Sequence, residues 1–135
     1  MAEITVPYEY DGRQFEGMLV WDDSVAGQRP AIFMQPDWFG VCRHSAGMAS
    51  EVAGRDYVVL MADMYGVGYG EREKTEAELL ASAQGVRRDL PFILGCGAVA
   101  HAALTEEAEK HGLIDPERRG AIGFCMGGGI ALEQV

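Results

Sequence analysis

One cysteine in the last fifteen residues of the sequence lies between two glycines, in the run Gly123-Phe124-Cys125-Met126-Gly127. This spacing is typical of a nucleophile elbow, a sharp turn from a strand into a helix whose small flanking residues leave the central side chain exposed. The free amides and the positive dipole end at a helix N-terminus favour the thiolate form of a cysteine. The motif therefore predicts a nucleophilic thiol at Cys125, with the Met126 amide placed to bind an oxyanion.

Two other interpretations of this cysteine stay open. In the first interpretation Cys125 is a buried structural residue, since free cysteines are commonly buried. In the second it is a redox thiol, although no resolving cysteine lies nearby in the sequence. A predicted strand before the motif and a predicted helix after it favour the nucleophile, because an elbow requires that context.

The segments that must position this motif begin with strands of two kinds. Glu3–Tyr10 and Gln14–Trp21 are rich in β-formers and are joined by Asp11-Gly12, which predicts an antiparallel hairpin. Residues 31–35 (AIFMQ) and 57–62 (YVVLMA) are almost continuously apolar, which indicates strands buried on both faces of a parallel sheet.

Helices are predicted between and after these strands. The alternation of strands and helices predicts an α/β fold with a mostly parallel sheet and an N-terminal antiparallel hairpin. No repeat, low-complexity tract or linker divides the sequence, so one domain over residues 1–135 is expected. The remaining predicted elements are a helix over 41–54 ending at Gly54, a helix over about 71–94, a helix over about 99–111 ending at Gly112, a turn at Asp115-Pro116, a strand over 119–124 and a helix from Met126 onward.

Composition excludes several classes of function. With 11 Lys and Arg against 21 Asp and Glu, the net charge is -10 and the pI about 4.6, which disfavours nucleic acids and anionic membrane surfaces as partners. No apolar run approaches the ~18 residues of a membrane span, and Met1–Tyr10 lacks the pattern of a signal peptide. The three cysteines form no CxxC pair, so neither a disulfide framework nor a zinc site is expected, and a reducing cytoplasm suits them.

No cofactor motif is recognisable either. The run Gly66–Gly70 (GVGYG) lacks the GxGxxG spacing of a dinucleotide site, so it is interpreted as a flexible loop. No Gly-Lys-Ser/Thr follows the glycines at 127–129, which argues against a phosphate-binding loop. The expectation is a protein without cofactor or metal.

The sequence resembles the dienelactone hydrolases, a branch of the α/β-hydrolase fold that uses cysteine where most relatives use serine. The resemblance implies an α/β-hydrolase domain in which Cys125 cleaves a small ester or lactone through a thioester intermediate. It covers nearly the whole chain and rests on GFCMGG at 123–128, MQPDWFG at 34–40, YVVLMADMYG at 57–66 and the leading hairpin with its Asp-Gly turn.

Two further site residues follow from this resemblance. In the family, the loop that corresponds to Pro36–Gly40 carries an acidic residue that contacts the resting cysteine, followed by a residue whose amide completes the oxyanion hole. By motif position these are Asp37, where the family has Glu, and Trp38. Asp37 is alternatively a loop or N-cap carboxylate, and Trp38 an apolar wall of the pocket. No arginine lies in Gly66–Gly70, where relatives bind the dienelactone carboxylate, so another ester or lactone is expected.

The family order of the catalytic triad is nucleophile, acid, histidine, yet residues 126–135 contain neither Asp nor His. His44, His101 and His111 are interpreted as surface or packing residues, and only His44, near the WFG loop, is a candidate substitute base. We therefore expect a domain truncated after the elbow, with impaired activity.

A domain that ends after the elbow would leave the strand before Cys125 as an exposed edge. Such an edge would pair with a second copy of the chain or with a complementing C-terminal segment, or else leave a poorly soluble fragment. The alternative function is a non-catalytic assembly or binding module that retains the elbow as a structural turn.

Overall fold

The computed structural model describes residues 1–134 and contains one five-stranded sheet in the spatial order β1-β2-β4-β3-β5. Val135, the end of the last predicted helix, lies outside the described residues. The strands are β1 (Ala2–Tyr10), β2 (Arg13–Trp21), β3 (Arg29–Gln35), β4 (Val58–Met61) and β5 (Ile114–Gly123); the helices are α1 (Arg43–Ala53), α2 (Glu76–Arg87), α3 (Leu90–Lys110) and α4 (Met126–Gln134), with a 3₁₀ turn at Tyr69–Glu71.

The predicted hairpin and the predicted α/β sheet are both confirmed. β1 and β2 pair antiparallel from Ala2 opposite Trp21 to Tyr10 opposite Arg13. The turn residues have positive φ, 51° at Asp11 and 75° at Gly12, as the tight turn of a two-residue hairpin requires. β2 then pairs antiparallel with β4, whereas β3 runs parallel to both β4 and β5.

Helices cover both faces of the sheet, which is why β4 in the middle of it is apolar and buried throughout. On one face, α1 places Ala49 and Ala53 against strand residues such as Met34. On the other face, α3 and α4 pack on the second set of strand side chains, including Phe15 and Leu60. None of the helices in residues 1–134 has the length and apolar character that a bilayer crossing needs.

The helical region after β4 differs from the prediction. A single helix over about 71–94 is wrong, because the chain forms α2 and then begins α3 at Leu90. Thr75 caps α2 by accepting a hydrogen bond from the Glu78 N–H at 3.2 Å, and the Glu78 carboxylate reaches back in a capping box. Asp89 caps α3 by accepting from the Phe92 N–H at 3.1 Å. These two caps set the break between the helices.

β5 begins at Ile114 rather than at the predicted Arg119, and it forms one edge of the sheet. The turn predicted at Asp115-Pro116 is present as an irregularity within β5, where the Asp115 Oδ1 accepts a hydrogen bond from the Glu117 N–H at 3.0 Å. The register with β3 shifts at this point and then continues regularly to Gly123 opposite Gln35. The regular part of the strand leads directly into the predicted elbow.

Leu60→Ala should lower the free energy of unfolding by about 2–5 kcal/mol, because Leu60 is 1% exposed at the centre of the sheet and its removal leaves a cavity. The matched control is Leu80→Ala, since Leu80 on α2 is 48% exposed and should change stability by about 0.5 kcal/mol or less. Urea denaturation measures both. Equal losses in the two variants would contradict this description of the core.

Candidate active site

Cys125 lies at a sharp turn between β5 and α4, as the motif predicts. Its φ of 57° is in the left-handed region, which a residue with a Cβ rarely adopts. The Gly127 N–H donates to the Phe124 carbonyl at 2.9 Å, and the Gly128 N–H donates to the Cys125 carbonyl at 3.1 Å, which closes the turn. The Cys125 side chain is exposed, so the interpretation of Cys125 as a buried structural cysteine is wrong.

The two flanking glycines are required by close backbone packing. A Cβ on Gly123 would lie 2.3 Å from the Gly127 carbonyl oxygen, and a Cβ on Gly127 would lie 2.3 Å from that of Pro36. The Phe124 N–H also donates to the Gln35 carbonyl at 3.1 Å. The elbow is thus held against the end of β3, beside the loop that follows this strand.

A side-chain contact with the buried Gln35 holds the end of α4 against the sheet. Gln35 is 1% exposed, and its Nε2 donates to the Gln134 Oε1 at 2.8 Å. The Gln134 Nε2 in turn donates to the Ile93 carbonyl at 3.1 Å. Sequence reasoning missed this pair, because the two glutamines are 99 residues apart and neither belongs to a recognisable motif.

The loop after β3 holds the two site residues that the family resemblance implies. The Asp37 Oδ1 accepts a hydrogen bond from the Phe39 N–H at 3.0 Å, as a loop carboxylate does. The Trp38 carbonyl accepts from the Tyr69 hydroxyl at 3.1 Å. Among the described residues, no hydrogen bond joins Asp37 to Cys125, and the Trp38 N–H has no hydrogen-bond partner.

Two stacked tyrosines after β4 lie beside the elbow, and sequence reasoning did not single them out. The rings of Tyr65 and Tyr69 are 4.2 Å apart at their centroids and 17° from parallel. The Tyr65 hydroxyl lies 3.5 Å from the Met126 Sδ. Burial raises the pKa of Tyr65, and the neighbouring ionisable groups, Tyr69 first, add to the increase. Tyr65 therefore keeps its proton at neutral pH, and its hydroxyl contacts the residue that follows Cys125.

Asp63 is the buried residue that shapes this tyrosine loop. Its carboxylate accepts hydrogen bonds from the N–H groups of Tyr65 at 2.9 Å, Gly66 at 3.1 Å and Glu16 at 3.0 Å. The Tyr8 hydroxyl donates to the Asp63 carbonyl at 2.7 Å. Burial raises the pKa of Asp63 above its ordinary value, against the opposing effect of the three N–H groups. The network fixes the chain direction just before Tyr65.

The three cysteines differ in accessibility. Cys96 is fully buried, and burial, with the Asp63 charge adding to it, raises the pKa of its thiol to about 12. Cys42 is half-buried just before α1, where its N–H donates to the Ser45 Oγ at 2.8 Å. Cys125 is the exposed thiol of the three. Chemistry at a cysteine in this chain is therefore expected at Cys125 first.

None of the three histidines forms a hydrogen bond with Cys125 among the described residues. His44 is exposed on α1, edge-on to the Phe39 ring at 6.4 Å between centroids. His101 on α3 packs edge-on against the Phe33 ring on β3, and burial lowers the pKa of His101. His111, which follows α3 directly, pairs with Glu107 on that helix at 3.1 Å.

The sheet order, the strand-turn-helix at Cys125 and the adjoining loops define an α/β-hydrolase type of architecture. The sequence profile of the dienelactone hydrolase family matches residues 15–135, and the chain belongs to this family.

Two solved structures are particularly similar to this chain. The protein m3DLH is 31% identical over 98% of this chain, with a TM-score of 0.81. A dienelactone hydrolase-like promiscuous phosphotriesterase from metagenomic libraries is 29% identical over 98% of this chain, also with a TM-score of 0.81. The chain spans 52% of the length of each of these proteins. A cold-adapted esterase from an Arctic intertidal metagenomic library, at 19% identity and a TM-score of 0.61, shares the fold. None of the curated proteins matches.

Gly127→Ala should destabilise the protein by about 1–3 kcal/mol, because the new Cβ would clash with the carbonyls of Pro36 and Gln35. It should also change the rate at which a disulfide reagent labels Cys125, since the turn must move. Gly129→Ala is the control on the same helix: nothing lies within 4 Å of its Cβ position, so this variant should gain roughly 0.5–1 kcal/mol from helix propensity. The same stability change in both variants would show that the turn is not tightly packed.

Proposed function

We propose that this chain is the nucleophile-bearing part of a cysteine-dependent hydrolase that cleaves a small ester or lactone through a thioester. The observation that carries the proposal is the geometry of Cys125, exposed at a positive φ of 57° immediately before α4. A positive φ at a residue other than glycine strains the backbone, and such strained residues are typical of functional sites. Membership of the dienelactone hydrolase family supports the same reaction class.

In the proposed mechanism the Cys125 thiolate attacks the carbonyl carbon of the substrate. A carbon-sulfur bond forms, and the carbonyl oxygen becomes negative. When the tetrahedral intermediate collapses, the carbon-oxygen bond to the leaving group breaks, and the alkoxide takes a proton from water. A second water molecule then hydrolyses the thioester and restores the thiol.

The amides of Met126 and Trp38 are proposed to bind the oxyanion. Met126 is the first residue of α4, so its N–H has no partner within the helix. Trp38 is held by the Tyr69 hydrogen bond to its carbonyl, while its own N–H is unpaired among residues 1–134. Two such donors, fixed before the substrate arrives, are the arrangement that stabilises a developing oxyanion.

Asp37 is proposed to contact the resting thiol. Its Oδ1 is already engaged by the Phe39 N–H, so Oδ2 is the oxygen for this contact. Asp37 and Cys125 follow the neighbouring parallel strands β3 and β5, whose carboxyl ends meet with Gln35 opposite Gly123, and this supports a common site for the two groups.

Turnover by the 135-residue polypeptide is expected to be slow. In the family the triad acid and histidine follow the nucleophile, and residues 126–135 contain neither. A general base contributes a factor of roughly 10² to 10⁴ in rate. The thioester should therefore form and persist long enough to be detected.

A second candidate function is a non-catalytic assembly or binding module, and β5 favours it. This strand is at the sheet edge, with Gly120 and Ala121 exposed. Beside it lies a groove of about 490 Å³ whose lining includes Leu94, which is 47% exposed. We propose that this edge pairs with a second copy of the chain or with a complementing segment, because unpaired edges template strand addition.

We also propose a reducing compartment, the cytoplasm, for this protein. The nucleophile requires a reduced thiol, and Cys42, Cys96 and Cys125 are all free.

Brief exposure to 4-nitrophenyl acetate at neutral pH should add one acetyl group to Cys125, detected by mass spectrometry of the digested protein. Cys125→Ala should abolish the adduct, whereas Cys42→Ala should leave it in place. Cys96 should stay unmodified, because its buried thiol is un-ionised at this pH. Acetylation elsewhere with Cys125 unmodified would refute the cysteine mechanism.

Sedimentation should show concentration-dependent self-association through β5. Ala121→Lys should weaken it by tenfold or more in dissociation constant, since a charge on an edge strand opposes pairing. The control is Ala102→Lys, which places the same charge at an exposed position of α3 and should have little effect. A monomer at all concentrations, or equal effects of the two lysines, would count against pairing of two copies.

A further inference from the structure

The Tyr65 hydroxyl is a positioned hydrogen-bond donor that the mechanism above leaves without a role. We propose that it is a substrate-contacting catalytic group: it donates a hydrogen bond to the alkoxy oxygen of the ester while the carbon-oxygen bond breaks. The inference rests on the proposed function and adds a determinant of leaving-group specificity to the same site.

The position of Tyr65 is fixed from several directions. Its N–H donates to the buried Asp63 carboxylate, and its carbonyl accepts from the Arg13 guanidinium at 2.9 Å. Its ring is stacked on Tyr69, which is 6% exposed and bound to the loop of Trp38. A donor held in this way loses little freedom when a substrate binds, which is the condition for effective positioning.

The hydroxyl of the half-buried Tyr65 has only a weak hydrogen-bond partner in the described part of the protein. Among residues 1–134 its hydrogen-bond partner is the Met126 Sδ at 3.5 Å, and a thioether is a weak acceptor. Exchange of this sulfur for an ester oxygen would strengthen the hydrogen bond. Met126 follows Cys125 directly, so the side chain that the hydroxyl contacts belongs to the residue next to the nucleophile.

The hydrogen-bond donors already proposed for the site indicate which oxygen of the ester the Tyr65 hydroxyl contacts. An ester or lactone has two oxygens on its carbonyl carbon, and the amides of Met126 and Trp38 serve the carbonyl oxygen. The alkoxy oxygen remains, and it becomes negative as its bond to carbon breaks. A hydrogen bond to a charged oxygen is stronger than one to a neutral oxygen, so this contact favours the transition state over the bound substrate. Tyr65 keeps its proton, and the alkoxide takes its proton from water.

The test is the rate of Cys125 acetylation in Tyr65→Phe with two esters that differ in leaving group. Phenyl acetate releases a basic phenoxide, whereas 4-nitrophenyl acetate releases a weakly basic one that needs little assistance. We expect the variant to react with phenyl acetate roughly tenfold more slowly or worse, the scale of one hydrogen bond to a charged group. With 4-nitrophenyl acetate the rate should fall by less than about threefold.

Tyr57→Phe is the matched control, because Tyr57 is 40% exposed before β4 and lies outside the site. It should react with both esters like the parent protein, and circular dichroism should show that both variants are folded. Equal slowing of Tyr65→Phe with the two esters would indicate a structural role and overturn the inference, as would unchanged rates. Failure of the parent protein to acetylate Cys125 with either ester would refute the proposed function itself, an outcome distinct from both.

Discussion

The contact between Gly127 and the end of β3 is the constraint on which the site depends. It allows the start of α4 to approach the carbonyls of Gln35 and Pro36 more closely than any residue with a Cβ would permit. Because of this approach, the turn at Cys125 must be tight, and the backbone there adopts a positive φ. The sulfur is consequently exposed, and the amide that follows it begins a helix with no internal partner.

The parallel part of the sheet explains why three separate segments meet at this point. β4, β3 and β5 are neighbouring parallel strands, so the segments that follow them all begin at the end of the sheet where the carboxyl ends of these strands lie. These segments are the Pro36–Gly40 loop, the Asp63–Gly66 turn and the elbow. Ligand sites in open α/β sheets form outside the carboxyl ends of the strands. Asp63 and the Gln35–Gln134 pair then hold the segments in place from within the protein.

Much of this arrangement could be predicted because it is encoded locally. The Asp11-Gly12 turn, the apolar runs of β3 and β4, and the Gly-x-Cys-x-Gly spacing each depend on neighbouring residues. The break between α2 and α3 was also encoded locally, by Thr75 with Glu78 and by Asp89, but the continuous helical composition concealed it. The position of Tyr65 beside the elbow could not be predicted from its own segment, because its contacts come from residues distant in sequence, including Met126.

We propose that the folded turn activates the sulfur of Cys125 as a nucleophile. This proposal is tested most directly by the rate of Cys125 alkylation with iodoacetamide at neutral pH, resolved by peptide mass spectrometry in the native protein and in concentrated urea. We expect faster alkylation of Cys125 in the folded protein than in the unfolded chain, although folding normally protects a thiol. Slower alkylation in the folded protein would contradict it.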